Sequence, residues 1–247
     1  MLAEERKAKI ISYVNERHAV TAAELMQEFS ASEATIRRDL TELDKKGLIC
    51  KVHGGAVSIP SQSLTDHMVS ERVELNLDDK RKIAMYAAGL IQDNDCVYID
   101  AGTTTGLILE YITARNITII TNAILHAYKL TSLGFRVLLT GGFLKPETEA
   151  LIGPSCFEIL EKYNFSIGFF GANGISHNHG ITTPDIEEAR IKELAIMHTR
   201  NAYILADPSK FNVTAPVRFA SYSDVSIITT EAIPASYHRD TNIITLK

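Results

Sequence analysis

The sequence predicts an α/β chain in two parts: an N-terminal winged helix-turn-helix and a C-terminal α/β domain built on a parallel sheet. Three observations predict it. Residues 21 to 57 hold two short, capped helical stretches that run into a small glycine-bearing hairpin. Residues 96 to 230 alternate short β-rich runs with helical stretches, the pattern of parallel strands joined by crossovers. Between them lies a Ser-rich stretch with Pro60, which reads as a linker. The expected boundaries are 1–57, 58–77 and 78–247.

The first element is an amphipathic helix over residues 4 to 16, with Ile10, Ile11 and Val14 as its inner face. Thr21-Ala-Ala-Glu24 is a capping box, so a second helix opens there with Leu25, Met26 and Phe29 on its apolar side. A tight connection leads to Ser32, an N-cap for a third helix. Ile36, Leu40 and Leu43 fall on one stripe of that helix, which turns Thr35, Arg37 and Arg38 away from the core. Lys45 and Lys46 suit its negative end, and Gly47 is the expected C-cap. The hairpin follows, with Lys51, His53 and the permissive Gly54-Gly55 pair at its turn. An arginine on such a helix can fork onto a guanine edge or bond a phosphate, and the sequence leaves open which arginine does which. Two arginines on a helix can also be a solvated face; the caps, stripe and hairpin together favour a reading head for duplex DNA. Its candidate contacts are Ser32, Thr35, Arg37, Arg38, Lys51, His53 and Gly54.

Charge does not advertise this role. The 247-residue chain has a formal net charge of -5. Over residues 1 to 57, nine Lys and Arg balance nine Asp and Glu. Affinity for DNA must then come from local clustering and from repetition, so a homo-oligomer, dimer or tetramer, is expected on a repeated operator. Cys50, Cys96 and Cys156 are too few and scattered for a disulfide framework or a zinc site, which fits a reducing cytoplasm. No apolar run reaches the ~18 residues of a membrane span, and the first residues lack a signal-peptide core. With no Trp, single-strand stacking platforms are not indicated.

In the C-terminal part, a helix packs through Ile83, Ala84, Ala87, Ala88, Leu90 and Ile91. Strands are expected at 96–100, 117–121, 136–140, 165–170, 202–206 and 225–230, and helices at 104–114, 123–132, 154–162 and 185–200. Five strands run out into small or polar residues: Asp100-Ala-Gly102, Thr121-Asn122, Thr140-Gly141-Gly142, Gly171-Ala-Asn-Gly174 and Asp207-Pro-Ser-Lys210. Each is an ordinary turn alone. Placed together at the carboxyl edge of a parallel sheet, they converge on one ligand crevice. Gly102-Thr103-Thr104-Thr105 offers amides and hydroxyls at the start of a helix, an arrangement suited to phosphate. It is neither a P-loop nor a dinucleotide fingerprint, and no cofactor or metal is indicated. Lys210 is a second cation for the phosphate or a solvated lysine; Asp185 and Glu187 begin a helix, where they either complement its dipole or bind hydroxyls. With Asn122 and Gly141, the candidate ligand contacts are Asp100, Gly102, Thr103, Thr104, Asp185, Glu187 and Lys210.

The chain resembles the DeoR family of bacterial sugar-operon repressors. In its first part the matching residues are Glu5-Arg6, Ala34-Thr-Ile-Arg-Arg-Asp-Leu40, Leu43, Gly47-Leu48 and Val52-His-Gly-Gly-Ala56. In its second they include Asp100-Ala-Gly-Thr-Thr-Thr105, Gly141-Gly142, Gly180, Thr182, Asp185, Glu188-Ala189, Lys192 and Ser209-Lys210-Phe211. The resemblance implies that Thr35, Arg37 and Arg38 touch DNA. It also implies a second domain similar in fold to ribose 5-phosphate isomerase that senses a phosphorylated sugar through Asp100, Gly102, Thr103, Thr104 and Lys210. The run from Gly180 to Ala189 looks like the fructose-operon branch, which implies fructose 1-phosphate; tagatose, deoxyribose and glycerol phosphates fit the same chemistry. A sugar-phosphate isomerase carrying a DNA-binding head is the rival reading. Where the isomerase has an acidic stretch, this chain has Gly171-Ala-Asn-Gly-Ile175, without a carboxylate to act as base, which argues for a sensor and against an enzyme.

Overall fold

The computed structural model describes residues 3–17, 19–45, 49–52, 54–57 and 69–247. They divide into two compact units, Met1–Ser61 and Gln62–Lys247.

The first unit holds α1 (Ala3–Arg17), β1 (Ala19–Thr21), α2 (Ala22–Phe29), α3 (Glu33–Lys45), β2 (Cys50–Val52) and β3 (Gly55–Val57). Its core holds Ile10 and Val14 of α1, Leu25 of α2, and Ile36, Leu40 and Leu43 of α3, joined by Val20, Ile49 and Ala56, while the expected Ile11, Met26 and Phe29 are partly buried against it. The Thr21–Glu24 capping box forms as expected, and Ser30 closes α2 in the left-handed region. The strands make an antiparallel sheet in the order β1-β3-β2. Gly55 permits it, because a Cβ there would lie 2.1 Å from the Val20 carbonyl oxygen. Arg6 donates to Asp39 at 2.6 Å and ties α1 to α3. The expected helix end at Lys46-Gly47 and the turn residue His53 lie outside the described residues.

The second unit begins, among the described residues, with α4 (Val69–Val73), α5 (Leu77–Ala88), β4 (Cys96–Ile99), α6 (Thr103–Leu107), β5 (Thr118–Thr121), α7 (Ile124–Ser132) and β6 (Arg136–Leu139). It continues through β7 (Phe143–Lys145), β8 (Ala150–Ile152), α8 (Pro154–Leu160), β9 (Phe165–Gly171), β10 (Gly174–Ser176) and β11 (Gly180–Thr183). Last come α9 (Ile186–Met197), β12 (Thr199–Leu205), β13 (Val217–Ala220), β14 (Ser226–Thr230) and β15 (Ile243–Leu246). Seven strands form the main sheet, in the order β15-β14-β12-β9-β4-β5-β6, and every pairing in it is parallel. Both faces are covered. Val97 and Ile99 of β4 pack with Ile83, Ala84 and Ala87 of α5, while Tyr98 between them packs on the opposite side with Cys156 of α8 and Ala189 of α9.

The structure departs from expectation in four places. Residues 69–77, read as linker, contain α4 and the start of α5, and Lys80 of α5 donates to the Arg72 carbonyl oxygen. The helix expected over 104–114 ends at Leu107 and tightens into a 3₁₀ turn over Ile108–Glu110. The helix expected over 185–200 stops at Met197, and Thr199 already belongs to β12, paired with Phe165 of β9. Finally, β7–β8 and the small sheet β10-β11-β13 occupy stretches for which no strand is expected, and β15 extends the main sheet past the expected last strand.

Candidate functional sites: a DNA-reading head and an anion cavity

In the first unit, α3 and the β2–β3 hairpin frame a groove of about 530 Å³ whose lining includes Glu33, Arg37, Lys51 and Gly54. The hairpin is fastened to the helix. The Lys51 amide donates to Asp44 at 2.9 Å, and the Lys51 ammonium donates to the Thr41 hydroxyl at 2.7 Å. Gly54 sits at φ +87°, where a residue with a side chain is strained. The Ser32 hydroxyl accepts from the Thr35 amide at 3.3 Å and bonds the Thr35 hydroxyl at 2.9 Å, so these two expected contacts also cap α3. Arg37 and Arg38 are exposed, and Arg37 pairs with Glu33 at 2.7 Å one turn earlier. The structure thus brings Arg37, Lys51 and Gly54 to one groove. Arg38 points elsewhere, as its position one residue along the helix requires.

In the second unit the strand ends converge. The central strands β4, β9 and β12 run out into Asp100, Gly171 and Asp207, and between them opens a cavity of about 110 Å³. Gly102, Thr103, Thr104 and Lys210 line it, as expected. So do Arg72, Lys80, Glu188 and Lys192, which the sequence reading did not assign to the site. A small cavity adjoins it, sharing Glu188 and Lys192 and lined also by Tyr98, Asp100 and Asn122.

Asp100 is 1% exposed and fully engaged. One carboxylate oxygen accepts from the Thr105 hydroxyl at 2.8 Å; the other accepts from the Gly171 amide at 2.8 Å and from Lys192. It organises the floor of the site. Gly102 has no room for a side chain, because a Cβ would lie 2.8 Å from the Thr105 hydroxyl oxygen. Asn122 is buried and held at both ends: it accepts from Tyr98 at 3.2 Å and donates to the Leu151 carbonyl at 3.2 Å.

Three expected contacts fall outside these cavities. Gly141 follows β6, the sheet edge two strands removed from β4, and its carbonyl accepts from the Cys156 thiol at 2.9 Å. Asp185 caps α9, accepting from the Glu187 and Glu188 amides, and pairs with Lys145 at 3.2 Å. Burial alone would raise its carboxyl; the Glu188 amide and Lys145 outweigh that and hold it below the usual range. Glu187 is exposed. Its neighbour Glu188 is the inward carboxylate, accepting from Thr148 at 2.6 Å and pairing with Lys145 at 2.9 Å.

The lining holds four cationic side chains, Arg72, Lys80, Lys192 and Lys210, against the carboxylates Glu188 and Asp207. Lys192 is matched by Asp100 and Glu188 by Lys145, whereas Lys80 and Lys210 have no ion-pair partner within reach among the described residues. Burial pushes the Lys80 ammonium below its ordinary range; Asp207 opposes that, and Lys210 and Arg72 add to it. Asp207 itself is occupied, accepting from the Ser209 amide at 3.1 Å and from Asn76 at 2.8 Å. That excess of cationic side chains suits an anion better than a cation.

Comparison with known proteins decides the family. A DeoR-like helix-turn-helix domain matches residues 6–62, and a DeoR C-terminal sensor domain matches residues 75–232. The chain belongs to the DeoR family. This DeoR-family chain is 40% identical to the uncharacterized HTH-type transcriptional regulator FruR of Bacillus subtilis, over 94% of its own length and 92% of that protein. It is 35% identical to the HTH-type transcriptional regulator GlpR of Haloferax volcanii, over 94% and 91%. With a lactose phosphotransferase system repressor of Staphylococcus epidermidis it shares 33% identity, over 92% and 91%. These relatives are named as transcriptional regulators, not enzymes. Among solved structures, ribose 5-phosphate isomerase A of Neisseria gonorrhoeae aligns at a TM-score of 0.41 and 14% identity, over 53% of this chain and 52% of that one. The sorbitol operon regulator SorC of Klebsiella pneumoniae aligns at 0.39 and 10%, over 83% and 88%. Among the described residues, no helix is long and apolar enough to cross a membrane.

Proposed function

We propose that this DeoR-family regulator represses a sugar-utilisation operon, binding duplex operator DNA through α3 and the hairpin, and that a phosphorylated sugar in the second unit's cavity changes that grip. The observation that carries the effector half is the pair Lys80 and Lys210, without carboxylate partners beside Gly102, Thr103 and Thr104. A phosphoryl group belongs at that cationic end. The hydroxyl-bearing body extends toward Glu188 and Asn122, where acids and amides accept and donate. Fructose 1-phosphate is the effector we favour, on the likeness of residues 180–189 to the fructose-operon branch.

On the DNA side, the first unit presents Arg37 and Lys51 in one groove with the hairpin turn at Gly54. His53 and Arg38 complete the contact set we propose. Because this head carries no net positive charge, a dimer or larger assembly doubling the contacts is part of the proposal. A hundredfold change in operator affinity requires about 2.7 kcal/mol of coupling, within the ordinary range for two linked sites.

The test is fluorescence anisotropy of the full chain on a duplex fragment from its own promoter, at low and physiological salt, with fructose 1-phosphate, fructose 6-phosphate or fructose added. Tight, salt-dependent binding that fructose 1-phosphate alters and fructose does not is the expected result. Absence of duplex binding at low salt overturns the DNA half; indifference to every sugar phosphate overturns the effector half.

A further inference from the structure

We infer that Arg72 of α4 is an anion-binding residue of the sensor cavity, and that a phosphoryl group held by it fastens α4 to the second unit. The inference rests on the reading of the cavity as a sugar-phosphate site.

Arg72 lines the cavity beside Lys80, Gly102, Thr103, Thr104 and Lys210. Its Nε and Nη2 are shielded from solvent yet have no hydrogen-bond partner. No carboxylate pairs with it among the described residues; Asp207, on the same wall, turns its Oδ1 to Asn76 and the Ser209 amide. Buried N–H groups of a permanently charged side chain are costly to leave unbonded, so a partner must come from outside the chain. Nε and Nη2 are adjacent donors in one plane, the fork that meets two oxygens of a phosphoryl group. Three cations around one space also repel each other, and a dianion removes that repulsion.

The position of Arg72 gives its occupancy a consequence. Among the bonds of α4, the Val69 amide donates to the Glu147 carbonyl at 3.2 Å, and the Arg72 carbonyl accepts from Lys80. It is also the first described element after residues 58–68, which lead from the DNA-reading unit. A ligand bonded to Arg72, Lys80 and Lys210 therefore clamps to the sensor the point where the chain arrives from the DNA head.

Calorimetric titration of the full chain, its Arg72→Gln variant and its Arg72→Lys variant tests this, with fructose 1-phosphate, inorganic phosphate and fructose as probes. Arg72→Gln weakens fructose 1-phosphate and phosphate at least tenfold, Arg72→Lys recovers part of the loss, and fructose is bound no differently by the three. The ligand-free melting temperature of Arg72→Gln does not fall, because the N–H groups removed have no partner to lose. In the wild type, hydrogen exchange of the amides at 69–73 slows when fructose 1-phosphate is added. Equal affinity of Arg72→Gln and wild type, or a fall in melting temperature with affinity kept, removes Arg72 from the site and leaves the sugar-phosphate reading standing. Unchanged exchange at 69–73 on a saturated wild type removes the clamp. A wild type that binds neither fructose 1-phosphate nor phosphate defeats the parent reading and this one with it.

Discussion

Lys192 of α9 donates to Asp100 at the end of β4 and, at 3.2 Å, to the carbonyl of Gly171 at the end of β9. One buried ammonium therefore pins a helix to two neighbouring strands at the floor of the cavity. Lys192→Met leaves the Asp100 carboxylate buried without its counter-charge, and removing one member of such a pair costs about 3 kcal/mol or more. For a unit of this size that is a fall in melting temperature of roughly 10 °C. The double variant with Asp100→Asn regains part of the loss, since no orphaned charge remains. Equal melting curves for wild type and Lys192→Met would show that the pair contributes nothing.

Arg37 lies on the exposed side of α3 within the groove it shares with Lys51. If it reads a base edge, Arg37→Ala costs about 1 to 3 kcal/mol of operator binding and relaxes the preference at one base pair. If Arg38, which does not line that groove, bonds a phosphate instead, Arg38→Ala lowers the slope of log affinity against log salt by about 1. Anisotropy titrations over a salt series separate the two. Operator affinity unaltered by either change would move the interface off α3.

The parts of the chain that were legible in advance are those where one face meets water and the other the core. Ile36, Leu40 and Leu43 announce α3 because their opposite side is polar, and the alternation through Val97, Tyr98 and Ile99 runs into Asp100, where the strand ends. Helix α9 hides its role because Glu188, Ala189, Ile191, Lys192 and Ala195 are all buried, so apolar and charged positions mix on its inner faces. Glu187 and Glu188 differ by a single step of about 100° around a helix, which helix phase alone does not resolve without knowing which side is covered. Arg72 and Lys80 look like ordinary solvated charges until α4 and α5 are seen to close over the strand ends. Gly141 misleads for the opposite reason: its turn has the same chemistry as the others, but the order β4-β5-β6 carries it to the sheet edge.

Lys210 ends a 3₁₀ turn that Asp207 caps, and it lines the cavity without an ion-pair partner among the described residues. Lys210→Gln keeps the turn, because the capping bonds involve Asp207 and Ser209 alone. The variant is expected to bind operator as the wild type does while needing at least tenfold more fructose 1-phosphate for the same response. A dose–response curve that coincides with the wild type returns Lys210 to solvent.

Asp185 presents the reverse case. Both helix-capping bonds and the Lys145 pair are internal, so Asp185→Ala should destabilise the second unit by about 1 kcal/mol, the ordinary cost of a lost N-cap, and Asp185→Asn by less. Neither should alter fructose 1-phosphate affinity. A tenfold loss of affinity in the Asn variant, which keeps the cap, would assign the carboxylate to the ligand after all.

His126 supplies a pH dependence that can be isolated. Its ring shares a pocket with Val69, Val73, Leu109 and Leu125, and its Nδ1 is buried without a partner. Burial lowers the imidazole from 6.5 to about 4, against the pull of the Asp100 carboxylate, so the folded state holds it neutral. The unfolded chain binds a proton near pH 6.5 that the folded chain refuses until about pH 4. Stability from this group is therefore complete above pH 6.5 and drains away as pH falls toward 4, by on the order of 3 kcal/mol in all. Urea midpoints of the full chain at pH 7.5, 6 and 5 should decline, and His126→Leu should flatten much of the decline. The same slope in both proteins would mean that the imidazole is protonated in the fold and that other groups govern the acid side.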